Sequence, residues 1–280
     1  MVRISLGIDS IQIPQKYLLK GELMSLFQIG LILAAGIMAG FINTLGGGGS
    51  LITLPVLIFM GLPPAVANGT NRIALIVQNI VGVTNFRRKG FFYPKLSFIL
   101  GVPAILGSIL GARVAVSISG ELFERILAIV MIVVLVLILT RPEKKFIKEI
   151  DSENLSTLRL IIAMIAFFGV GLYGGFIQAG VGFIIIVALT LITGMSLVKV
   201  NSLKLFIVLI YIISSLIVFL INGKVNFILG FTLAIGNAIG AYLGSNFAVS
   251  KGDKWIRVFL VIAILAMSAK LLGVFELIGL

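Results

Sequence analysis

Long apolar runs punctuated by short charged clusters set the pattern of this chain. No Asp, Glu, Lys or Arg occurs in residues 23–71, 160–198, 205–223 or 225–250, and about 20 such residues span a bilayer core as a helix. The runs predict helical segments over 24–45, 51–60, 65–86, 96–117 and 122–140. A mixed-charge bridge follows at 141–159 (RPEKKFIKEIDSENLSTLR), and then further segments over 160–179, 183–193, 200–222, 227–249 and 256–272. The second set mirrors the first.

Sliding the chain against itself tests that likeness. A gapless offset of 133 pairs Gly49 with Gly182, Gly61 with Gly194, Asn68 with Asn201, Gly90 with Gly223, Gly107 with Gly240 and Gly111 with Gly244. The expected fold is an all-α polytopic membrane protein of two homologous repeats, each with four to five membrane helices and a Gly-rich broken helix or re-entrant element. The organisation expected is a polar segment at 1–23, a first membrane repeat at 24–140, a cytoplasmic linker at 141–159 and a second repeat at 160–280. The second segment of each half, about a dozen residues, is too short to cross ~30 Å at 1.5 Å per residue. Four crossings per half make the repeats parallel and five make them inverted. Arg87, Arg88, Lys89 and Lys95 place that loop in the cytoplasm, as do Arg141, Lys144, Lys145 and Lys148 for the bridge. Lys251, Lys254 and Arg257 favour the inverted scheme, whereas Arg3, Lys16 and Lys20 favour the parallel one.

Composition agrees with a lipid environment: 60% of residues are hydrophobic, 11% are charged and the mean hydropathy is +1.22, against roughly 25% charged in a soluble domain. The net charge of +12 resides at segment ends and short loops, which reads as membrane orientation, not nucleic-acid binding. The chain has no Cys and no His, so thiolate or imidazole metal sites and disulfides are excluded, and no cofactor or metal is expected. The first 22 residues lack the apolar core of a signal peptide, which predicts that the first membrane segment is retained.

Candidate chemistry concentrates in residues 41–72, FINTLGGGGSLITLPVLIFMGLPPAVANGTNR. Four successive glycines cost a helix ~1 kcal/mol each relative to Ala, so helix is expected to stop at Gly46, Gly47, Gly48 and Gly49 and restart near Ser50. Such a break frees amides and aims a helix N-terminus into the membrane, where an anion can meet it. Close helix packing by small residues is the competing explanation. Asn43, Thr44 and Ser50 in the first half, and Gln178 with Gly180 and Gly182 in the second, add hydrogen-bonding capacity. A further cluster, Asn68, Thr70, Asn71 and Arg72, is answered by Asn201, Ser202 and Lys204. Spacings of four and three put Asn68 with Arg72, and Asn201 with Lys204, on single helix faces. Arg72 and Lys204 either snorkel to headgroups or serve a site, the default for an ionisable residue within a span. Gln78 and Asn79 are equally well explained by interhelical bonding.

These residues resemble the TauE/SafE sulfite exporter family, through the block GGGGSLITLPVLIFMGLPPAVANGTN, its echo GGFIQAGVGFIIIVALTLITGMSLVKVN and the two-half layout. The echo departs from the pattern at Ala188, where Pro55 predicts proline. The resemblance implies a cell-membrane permease that exports sulfite, sulfonates or related anions. It carries Gly46 to Ser50, Asn68 and Arg72, and Gly180 to Gly182, Asn201 and Lys204, as substrate-binding positions. The expected partners are a small organic or inorganic anion and the lipid bilayer, without nucleic acid; a homodimer is the one assembly considered.

With no His and no carboxylate inside a span, a side-chain proton relay has no parts. An inside-negative potential drives a monoanion outward by ~2.3 kcal/mol per 100 mV, which predicts a potential-driven facilitator; coupling to Na⁺ through backbone carbonyls stays open. An anion channel, or a membrane subunit without transport of its own, is the alternative. Catalysis is not expected, since only an unsupported Ser and Lys pair is available, and no GxxxxGK[ST] loop supports an ATP-driven pump.

Overall fold

A computed structural model describes residues 26–127, 129 and 156–271, with 251–271 as backbone only. The expected polar segment at 1–23, most of the fifth segment and most of the bridge lie outside the described residues. All regular structure among the described residues is helical: α1 (Leu26–Leu45), α2 (Ser50–Phe59), α3 (Pro64–Arg88), α4 (Pro94–Ser117), α5 (120–127), α6 (Thr157–Phe176), α7 (Val181–Thr193), α8 (Leu197–Ile221) and α9 (Phe227–Leu271). Five of these are long and apolar enough to cross a membrane, counting Phe227–Ser250 for α9.

Local chemistry sets the bounds. Pro64 and Pro94 open α3 and α4 at the first helical position, where a missing N–H costs nothing, and Gly61, Gly90, Gly194 and Gly223 take positive φ in the connections. One expectation fails: α9 runs from Phe227 to Leu271 without the break expected between 249 and 256. That stretch, SKGDK, has one glycine and no proline, and charge by itself does not stop a helix.

Helix bounds recur between the halves. α3 and α8 have 25 residues each and start 133 apart, as do α4 and the first span of α9 with 24 each. α1 and α6 have 20 each but start 131 apart. The gapless offset therefore fails at the first helix; α7, with 13 residues to the 10 of α2, is three longer and the connection after it one shorter, which makes up the difference of two. Gly180, not Gly182, stands where Gly49 does, immediately before the short helix.

Contacts fix the helix directions. Gly69 of α3 lies against Phe219 and Lys224, and Gly82 against Leu205, so α3 and α8 run antiparallel. Gly236 meets Leu33 and Gly36 while Gly244 meets Phe41 and Thr44, so α1 runs parallel to α9, and α3 does too, since Gly230 meets Thr70 and Asn85 bonds Ser245. Gly107 meets Phe168 and Gly111 meets Leu172, making α4 parallel to α6. Helices α3 and α8 thus point in opposite directions, as the inverted scheme requires. Arg87, Arg88, Lys89, Lys95, Arg159 and Lys199 gather at one end of the bundle, where α3 finishes and α4, α6 and α8 begin. The other end has Arg113, Arg125 and Lys224 with Glu121 and Glu124.

The outer faces are apolar. Val102, Leu106, Leu110 and Val114 line α4 at four-residue spacing, and Phe231, Ile235 and Ile239 line α9, all exposed. Such a belt suits acyl chains and not water. Polar side chains are instead drawn to the centre, around the breaks between α1 and α2 and between α6 and α7.

Candidate functional site

The glycine run does end a helix: α1 stops at Leu45 and α2 starts at Ser50, with Gly46 to Gly49 fully buried between them. The equivalent break, 177–180, is also buried. The two breaks touch. A Cβ on Gly47, which has φ +90°, would lie 2.1 Å from the Cα of Gly182, and one on Gly182 would lie 2.2 Å from the Cα of Gly47. Close packing and a broken helix, competing explanations from sequence, thus coincide at one point.

Within the first break, Gly46 and Gly47 donate to Ile42 O, and Leu51, Ile52 and Thr53 donate to the carbonyls of Gly48 and Gly49. The amides of Gly48 and Gly49, and those of Ala179 and Gly180 in the second break, have no backbone acceptor among the described residues. Buried amides without backbone acceptors at a helix start are donors of the kind that suit anions. Gln178 takes φ +66°, a strained conformation for a residue with a Cβ; a hydrogen bond from Tyr211 Oη to its Oε1 at 3.0 Å holds it there.

Both cations are buried, Arg72 at 0% and Lys204 at 2% exposure, so neither snorkels. Each crosses to the opposite half and caps the C-terminal carbonyls of its broken helix. Arg72 Nη1 donates to Gly174 O (3.2 Å) and Ser215 Oγ (2.7 Å), and Nη2 to Gly175 O (2.6 Å) and Asn68 Oδ1 (3.4 Å). Asn68 Nδ2 donates to Phe176 O at 2.6 Å, taking the next carbonyl of α6. The guanidinium lies 4.5 Å from the Phe219 ring centroid. Lys204 Nζ donates to Asn43 O (2.9 Å), Thr44 O (3.1 Å) and Asn201 Oδ1 (2.8 Å). With the 131 offset of the first helices, Asn43 and Thr44 correspond to Gly174 and Gly175, so the two caps are reciprocal. A helix C-terminus carries about half a negative charge and unsatisfied carbonyls, and both favour a cation there.

Of the sequence-predicted residues, Ser50 and Asn71 meet through Asn71 Nδ2 to Ser50 Oγ at 3.2 Å, and Thr53 Oγ1 donates to Asn71 Oδ1 at 2.8 Å. Thr44 Oγ1 bonds Gly40 O within its own helix. Thr70 and Ser202 turn elsewhere: Thr70 accepts from the Asn226 amide, and Ser202 donates to Phe91 O, each in a loop of the other half. Residues not anticipated are Ser215, Tyr211, Tyr173 and Asn237. Tyr173 Oη donates to Ala179 O, and Gln78 Oε1 accepts from both Asn43 (3.1 Å) and Asn237 (3.3 Å). The signal for them was slight, single polar residues inside apolar runs.

Residues 32–271 match the family described as "Sulfite exporter TauE/SafE". The chain belongs to that family. Among curated TauE/SafE-like relatives, the probable membrane transporter protein YfcA of Escherichia coli K12 is 32% identical over 87% of this chain and 89% of its own length. A probable membrane transporter protein of Haemophilus influenzae is 29% identical over 87% and 94%, and YdhB of Bacillus subtilis, also described as a probable membrane transporter protein, 27% over 76% and 85%. No solved structure matches the chain. This TauE/SafE member is a multi-pass membrane protein of a transporter family.

Proposed function

We propose that this protein exports a small sulfur-containing oxyanion, such as sulfite or a sulfonate, driven outward by the membrane potential. The observation that carries the reading is the pair of buried cations. Glu121 and Glu124 are the only carboxylates among the described side chains, and both are exposed. Two buried cations held by neutral oxygen acceptors, with no carboxylate beside them among the described side chains, favour an anionic visitor, because an opposite charge at close range further offsets the cost of burying each. Unpaired amides at the adjoining breaks supply neutral donors for oxyanion oxygens. The printed description of the family, a sulfite exporter, points to the same class of ligand.

The breaks meet at Gly47 and Gly182, which favours a carrier over an open pore. Catalysis has no support in the geometry, since Ser50 Oγ pairs with Asn71 and Lys204 Nζ spends its donors on oxygen acceptors. The test is counterflow in proteoliposomes loaded with radiolabelled sulfite and challenged with unlabelled sulfite, sulfate, a small sulfonate or a neutral amino acid. Sulfur oxyanions alone should accelerate label efflux, and Arg72→Ala should abolish it. If no anion competes while the protein remains folded, the substrate assignment is wrong. Accumulation of anion inside against a negative potential, with no other ion supplied, would rule out the driving force.

A further inference from the structure

The two caps sit at different depths. Arg72 bonds Ser215, and Lys204 lies eleven residues earlier on the same helix α8, so at 1.5 Å per residue they are separated by about 16 Å along the axis. Lys204 is on the side of the basic end, where α8 begins, and Arg72 is on the side where α3 begins. The helices pack as two groups, α1, α2 and α3 with α9, and α4 with α6, α7 and α8, so each group draws on both sequence halves. Between those levels the chain from Thr44, under Lys204, to Ser50, beside Asn71, carries Gly47, which meets Gly182 of α7 across the two groups. Arg72 on the end of α6 and Lys204 on the end of α1 tie the groups together on either side of this backbone contact, which admits no side chain.

We infer that Arg72 and Lys204 are the two gate latches of the transporter, each closing one face, and that the Gly47–Gly182 contact is the fulcrum on which the two helix groups rock. Rotation about that contact separates α3 from the end of α6 on one face while keeping α8 on the end of α1 at the other. Opening toward the basic end breaks Lys204 from Asn43 O and Thr44 O; opening toward the opposite end breaks Arg72 from Gly174 O and Gly175 O. Both latches made is the closed form seen here, and one latch made is the form open to one side. A latch cation released from its carbonyls has free donors facing the newly opened side, so the gate and the anion contact are one group. The latches themselves depend only on the helix-end contacts, and the inference stands or falls without reference to which solute is carried.

The chain has no cysteine, so single thiol reporters can be placed without altering a background. Thr70→Cys, beside the Asn226 loop, reports on the Arg72 side and Ser202→Cys, beside the Phe91 loop, on the Lys204 side, each read by a membrane-impermeant maleimide applied to one face of oriented vesicles without added substrate. In the Ser202→Cys chain, Lys204→Gln should raise labelling from the basic face by about tenfold, the shift expected for loss of roughly 1.4 kcal/mol of bias. In the Thr70→Cys chain, the same Lys204→Gln should lower labelling from the opposite face. Arg72→Gln should produce the reverse pattern. Equal increases at both reporters, or no change at either, would overturn the inference. Where a glutamine variant fails to reach the membrane, Asn201→Ala and Asn68→Ala, each removing one acceptor from its cation, carry the same comparison with a smaller shift. Failure of sulfite counterflow alongside the expected labelling would refute the substrate and leave the latches intact.

Discussion

Arg72 and Lys204 show how a cation is held in an apolar medium without a carboxylate. The penalty for burying an ion is several kcal/mol, and here the ends of α6 and α1 offset it with carbonyls that would otherwise be orphaned. Each partner therefore needs the other. Lys204→Met leaves the carbonyls of Asn43 and Thr44 unpaired, at about 1–3 kcal/mol for each, and should lower the thermal midpoint in detergent by several degrees; Lys204→Arg should recover most of it. The tip glycines make a sharper case. Gly47→Ala combines positive φ with a Cβ 2.1 Å from backbone and should abolish transport and destabilise the fold, whereas Gly30→Ala, with nothing within 4 Å, should leave both unharmed. The break, the buried cations and their Asn neighbours were legible in the sequence because each violates the composition of its surroundings. Their partners were not, since Lys204 and Asn43 are 161 residues apart and a backbone carbonyl has no letter of its own. Ser215, Tyr211 and Asn237 escaped notice because a lone polar residue in an apolar helix has many explanations.

At the scale of elements, α2 and α7 are the unusual members. At 10 and 13 residues they extend about 15 and 20 Å, less than a bilayer core, and so depend on neighbours. α2 is tied to α3 through Asn71, which accepts from Thr53 and donates to Ser50. Asn71→Ala should strand both hydroxyls and loosen α2, lowering the thermal midpoint and increasing proteolysis of reconstituted protein in the 46–60 region, while Thr53→Ser should be close to neutral. Helix bounds were readable to within a few residues wherever Gly or Pro punctuated an apolar run, as at Gly61 to Pro64. The continuous α9 was misjudged because a charged cluster was treated as a breaker. The 131-residue spacing of the first helices was hidden by the chance agreement of Gly49 with Gly182 at the 133 spacing that holds for the later helices, and only the observed ends of α1 and α6 separate the two.

For the whole molecule, direction was the property that charge counting left undecided. It turns on whether the short helices count as passes, and the antiparallel α3 and α8 count them. Among the described side chains, six basic residues and no acidic one at one end, against three basic and two acidic at the other, predict that the Arg87 end faces the cytoplasm. Neutralising Arg87, Arg88, Lys89 and Lys95 together should give a mixed population of orientations, measurable by protease protection of a tag in the loop between α3 and α4; a single unchanged orientation would show that other segments dictate insertion. The two cations, held without a carboxylate, have an electrical corollary as well. An empty transporter whose helix groups rock moves buried charge through the membrane field, and each elementary charge crossing it fully exchanges ~2.3 kcal/mol per 100 mV. Voltage steps on the empty protein should therefore evoke a transient displacement current, and a bound dianion, by cancelling the two charges, should silence it.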